Sequence, residues 1–131
     1  MITILNSQLT NDAIAALNNL IEMNIKAGVA FKLMRIIKEI SSLVEDKLAM
    51  EKKILEKWVE KDADGKAVPV YDNGAIVEGA VRISNMDSFQ AEMTSLLNAE
   101  TVLQHAKINF DDLGLEMMKI KDLLKIDFIF E

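Results

Sequence analysis

Glu60, Asp62 and Asp64 set carboxylates at alternate positions ahead of Gly65. They match the first, third, fifth and sixth places of a calcium-binding loop, in which oxygen ligands wrap a hard cation and glycine makes the sharp turn. The match ends there: the place that needs a bidentate carboxylate is Tyr71, and Lys66-Ala67-Val68 follows the glycine. A turn is expected, with no metal. His105 is the sole histidine, and its sequence neighbours Gln104, Ala106 and Lys107 offer it no catalytic or ligating partner, so it is expected on the surface of a strand. None of the serines sits in a Gly-x-Ser-x-Gly elbow, and the glycines are too scattered to cradle a phosphate. Glu45-Asp46 and Asp111-Asp112 are carboxylate pairs without a surrounding motif and read as solvated. No reaction is written in these residues, so neither an enzyme nor a cofactor is expected.

A chain of 131 residues is long enough to bury a core without disulfides, and it has no cysteine to form one. One domain is expected, divided into an N-terminal strand and helical hairpin (1–61), an arm (62–84) and a C-terminal part (85–131). The N-terminus has neither the basic region nor the apolar run of a signal peptide, and no apolar stretch reaches bilayer length. A soluble, intracellular protein with no membrane contact is expected. The net charge of −6 falls wholly in residues 67–131, the first half being balanced. A sequence pI near 4.8 argues against general binding to nucleic-acid backbones.

The pattern of apolar residues predicts an α+β, predominantly α-helical protein: a long helical hairpin, a β-hairpin arm, a third helix and a short C-terminal β/α element. MITIL is β-prone. Ile14, Leu17, Ile21 and Ile25 recur at helical spacing behind Thr10 or Asn11 as N-cap, with Gly28 at the expected end or kink. From Val29 to about Lys61 a stripe including Leu33, Ile36, Ile37, Ile40, Val44 and Leu55 keeps the 3.6-residue period with no glycine or proline. Such a helix is roughly 50 Å long at 1.5 Å per residue, so part of it must project or pack on something else. Asp72-Asn73-Gly74 is hairpin-tip chemistry between β-prone runs, and Pro69 places its strand at an edge or an irregularity. Asp87 and Gln90 suggest a capping box for a helix burying Phe89, Met93, Leu96 and Leu97. Ala106, Ile108 and Phe110 alternate as a strand would, and the tail reads as a helix with an extended end.

Three surfaces follow. Leu48, Leu55, Trp58 and Val59 on the far end of the long helix, with Tyr71 on the arm, are the expected partner-binding residues, because large apolar and aromatic side chains anchor interfaces. Asp72, Glu78, Asp87, Glu92, Asp111 and Asp112 are an alternative acidic face, suited to a nucleic-acid-mimicking inhibitor of a host or defence protein. Lys26, Lys32, Arg35 and Lys38, uninterrupted by any acid between Glu22 and Glu39, are an alternative basic face for nucleic acid. Met117-Met118 adds adaptable apolar surface.

Across nearly the whole chain, NDAIAALNNLIEMNIKAGVAFKLMRIIKEI, EKWVEKDADGKAV, MDSFQAEMTSLLNAE and INFDDLGLEMMKIKDLLKIDFIFE resemble a family of small bacteriophage proteins, the domain of unknown function 1617. The carriers of the resemblance are a Lys-Asp-x-Asp-Gly turn, a Phe-x-x-Glu-Met helix pattern and a Leu/Phe-rich end. It implies a phage origin, in the cytoplasm of a bacterial host or on the virion, and assigns no catalytic residue. The expected function is non-enzymatic protein association, as a small assembly or accessory protein and a homo-oligomer.

Overall fold

Thr10 starts the first long helix as the spacing predicts, its Oγ1 accepting from the Ala13 amide at 3.0 Å. The structure is a computed structural model that describes residues 1–114 and 119–131; Met117 and Met118 lie outside the described residues. Its elements are β1 (Ile2–Leu5), α1 (Asn11–Glu22), α2 (Ala27–Trp58), β2 (Pro69–Asp72), β3 (Ala75–Val81), α3 (Met86–Asn98), β4 (Glu100–Leu103) and α4 (Ile120–Ile126). The α+β, mostly helical class is therefore as expected. By compactness the chain divides into two units, Met1–Lys47 with Leu97–Glu131 and, between them in sequence, Leu48–Leu96. Helix α2 contributes to both.

In the first unit β1 and β4 form an antiparallel pair, with Ile2 opposite Leu103 and Leu5 opposite Glu100. Alternation along β1 drives Ile2 and Ile4 fully into the core, where they meet Leu17 and Leu20 of α1 and Leu33, Ile36 and Ile40 of α2. Each such side chain taken out of water contributes about 1.5–3 kcal/mol, which makes this stripe the main source of the unit's stability. Helix α1 comes closest to α4. Fully buried Ala13 and Ala16 have no bulk to hold a neighbour away. The end of the chain closes the core: the Ile108 amide donates to Ile129 O at 2.8 Å, and the Phe110 and Phe130 rings meet edge to face at 5.5 Å. Lys47 Nζ donates to Leu9 O at 3.0 Å, tying this part of α2 to the chain just ahead of α1.

Three local expectations need correction. Gly28 neither ends nor kinks a helix; it sits in the first turn of α2, and the break between helices is the extended backbone at Met23. The strand before the C-terminal elements is Glu100–Leu103, because β1 supplies the partner for it there. Ile108 makes only a single parallel bridge, with Phe130, and Phe110 opens a 3-10 turn. Asn85, not Asp87, caps α3: its Oδ1 accepts from the Ser88 amide at 3.1 Å, leaving Asp87 inside the first turn.

The second unit is built from short-range pairings. At the hairpin tip Asn73 (φ 51°) and Gly74 (φ 83°) take the left-handed angles that a two-residue turn of the primed type demands. Tyr71 lies opposite Ile76 and Asp72 opposite Ala75, and the register then slips before Pro69 meets Val81. Gly79, at φ 78°, sits in the irregularity. The base of the hairpin is tied down, since the Glu60 amide donates to Arg82 O and the Val68 amide to Glu60 O, both at 2.8 Å. Val59 leaves the helix to bridge Ile83. Ile54, 8% exposed, is the one buried hydrophobic residue among the described residues of this unit.

Candidate protein-association site

The carboxylates that suggested a cation loop are occupied otherwise. Asp62 Oδ1 accepts from the amides of Asp64 at 2.9 Å and Lys66 at 3.0 Å, so this side chain holds the turn together. Among the described residues no group of three or more His, Asp or Glu side chains is disposed to hold a metal ion. His105 is not on an exposed strand. It lies just past β4, largely covered, with Nε2 sealed from solvent and 3.1 Å from Glu39 Oε1 but lacking an aligned hydrogen bond. The contact sets the residues after β4 beside α2. A shallow, mostly apolar cavity of about 290 Å³ is lined by Phe110, Leu123, Asp127, Phe130 and Glu131.

The expected anchors fall in the second unit, and the structure divides them. Leu48, Leu55 and Tyr71 are exposed. Trp58 and Val59 are half-buried within the unit, so neither stands free on a projecting end. Trp58 Nε1 donates to Glu92 Oε2 at 2.7 Å. Lys57 Nζ donates to the other oxygen of Glu92 and lies 5.0 Å from the centre of the indole ring. This triad of Trp58, Lys57 and Glu92 was not legible in sequence, since 34 residues separate indole from carboxylate. The Lys57 and Trp58 hydrogen bonds hold the Glu92 carboxyl below its ordinary 4.5.

A depressed carboxylate contributes stability that is complete above its unfolded-state value and is lost as pH falls through the folded-state value. The wild type therefore loses more stability than Glu92→Gln between neutral pH and the acid side of 4.5. Denaturant melts at both pH values, followed by Trp58 fluorescence, check this; equal losses in the two proteins would remove the linkage.

Asp72, Glu78, Asp87 and Glu92 belong to the second unit and Asp111 and Asp112 to the first, and Glu92 is already held by Lys57. Within the first unit's stretch of α2, Lys32, Arg35 and Lys38 lie on successive turns, whereas Lys26 precedes the helix. What sequence periodicity missed is how much apolar surface stays uncovered. Phe31 and Met34 on α2, Ile76 and Val77 on β3, and Ile120 and Leu124 on α4 are all exposed. The signal was available in the sequence: Phe31 and Met34 fall opposite the buried stripe, where a helix that meets only water carries polar residues.

No protein family, curated protein or solved structure matches the chain. Among the described residues no helix is long and apolar enough to cross a membrane.

Proposed function

We propose that this chain is a non-enzymatic protein that works by association, assembling with further copies of itself as a small bacteriophage assembly or accessory protein. The observation that carries the reading is the makeup of the second unit. Its 49 residues, Leu48–Leu96, close on a single buried hydrophobic side chain among the described residues, while Leu48, Met50, Leu55, Tyr71, Ile76 and Met86 stay exposed. A unit of that size is near the lower limit at which a chain stabilises itself by burial, and additional apolar contact with a partner is the physical remedy. Phage origin rests on the resemblance alone. The triad around Glu92 supports a role for the unit as a preformed scaffold, because Trp58 is oriented before any partner arrives.

Sedimentation velocity over a concentration series tests the proposal, with Leu55→Glu as the variant. Leu55 is 37% exposed on α2, so the substitution costs about 1 kcal/mol of folding stability, and circular dichroism verifies that the variant keeps its fold. It places a charge in the apolar surface and weakens association about tenfold or more. Identical concentration dependence in both proteins would remove the apolar end of α2 from the interface.

A further inference from the structure

We infer that copies of this chain join head to tail, the hairpin of β2 and β3 in one copy seating on the outward face of α2 in the next. The inference rests on the association reading above and names both the partner and the two surfaces.

On α2, Phe31, Met34, Arg35 and Lys38 are spaced at i, i+3, i+4 and i+7, so they share one face. That face is opposite the fully buried Leu33, Ile36 and Ile40. Phe31 is 65% exposed and Met34 is 56% exposed, an apolar pair of a size that a solvated helix face does not ordinarily carry. Between residues 23 and 38 the charge has one sign, because no acid occurs between Glu22 and Glu39; Glu45, two turns beyond Lys38, is the next acid on that face. Glu39, the first acid after the stretch, faces His105.

The hairpin carries the complement. Tyr71 and Ile76 are directly opposed across the strands, which puts both side chains on the same face of the ribbon. They are 61% and 63% exposed. Residues 69–81 contain two charged side chains, both acidic and both exposed: Glu78, two residues from Ile76, shares its face, whereas Asp72, next to Tyr71, is on the other face at the hairpin tip. Among the described residues none of Arg35, Lys38, Asp72 and Glu78 has an ion-pair partner in its own chain.

Charge decides the arrangement. Two α2 faces brought together would set cations against cations, and two hairpin tips would set carboxylates against carboxylates, each costing rather than stabilising. Hairpin on helix face matches aromatic and aliphatic surface on both sides and brings Glu78 toward the cations of α2. A contact between different patches of identical chains is either passed from copy to copy, building rings or open filaments, or made twice across a two-fold axis, and the mass of the assembly tells the two apart.

The test is a charge exchange read by light scattering on a sizing column. Arg35→Glu/Lys38→Glu reverses the helix face, and Asp72→Lys/Glu78→Lys reverses the hairpin. All four residues are exposed, and circular dichroism verifies that each variant keeps its fold. Each variant alone is expected to assemble about tenfold or more weakly than the wild type, because its two surfaces now carry the same sign. An equimolar mixture recovers assembly, since each variant's altered surface matches the other's. A wild type that associates, with variants that associate equally well or a mixture no better than its components, overturns the head-to-tail contact and leaves the association reading standing. A wild type that stays monomeric throughout overturns both. Binding of a single-stranded oligonucleotide that Arg35→Glu/Lys38→Glu abolishes, with assembly unchanged, overturns the inference by making the helix face a nucleic-acid site.

Discussion

Ile36→Ala is expected to lower the stability of the first unit by about 3 kcal/mol, the largest single effect among these predictions. Ile36 has no solvent exposure and lies in the middle of the stripe formed by Leu33, Ile37 and Ile40, where α2 meets the residues of β1, α1 and the C-terminal segment. Truncation removes buried carbons and leaves a cavity that a close-packed interior fills only partly. Alanine gains back a few tenths of a kcal/mol through its better helix propensity, too little to offset the loss. A domain of this size is stabilised by about 5–15 kcal/mol in total, so the substitution removes a large fraction of it. Met34→Ala is the contrasting control, since Met34 is exposed on the opposite face and its truncation should change stability by no more than about 0.5 kcal/mol. Urea denaturation of both variants checks the pair. Equal, small effects would mean that the stripe on α2 does not hold the core.

Trp58→Ala is expected to loosen the second unit by about 2–3 kcal/mol. The indole is half-buried in a unit with one buried hydrophobic residue among the described residues, and it donates the hydrogen bond that orients Glu92. Its removal takes away apolar contact, a cation–π neighbour for Lys57 and one of the two donors to the carboxylate. Because the first unit's core contains no residue between Leu48 and Leu96, the damage should stay local. Amide hydrogen exchange reads this directly: protection falls in residues 59–96 and holds in β1, α1 and β4. Uniform loss along the whole chain would contradict two separately stabilised units. The same reasoning makes Trp58→Ala a poor probe of association, since it disturbs the scaffold that presents the surface. Leu55→Glu and the charge reversals act on exposed positions and avoid that confusion.

Where structure depends on residues a few positions apart, it was legible in the sequence. The Thr10 cap, the uninterrupted period through α2, and Asp72-Asn73-Gly74 as a hairpin tip each rest on local backbone chemistry. Pairing across long separations was not. Glu100–Leu103 becomes a strand because Ile2–Leu5 lies beside it, whereas the stronger local alternation around Ile108 has only Phe130 to bridge. Asn85 outcompetes Asp87 as the cap because its position just before the helix lets its side chain reach the Ser88 amide. The candidate surfaces were half legible: Leu55 and Tyr71, singled out by residue type, are exposed, while Phe31 and Met34 went unremarked although their place opposite the apolar stripe of α2 carried the signal. Likewise the sequence named Trp58 as an anchor for a partner, and the structure gives its polar tip to Glu92 in the same chain.

The most direct test of association is the mass of the wild-type protein at sedimentation equilibrium, measured across a wide concentration range at moderate salt. A weight-average mass that rises smoothly above the 14.7 kDa of the single chain as concentration increases is expected. A mass that stays at 14.7 kDa from the lowest to the highest concentration would contradict it.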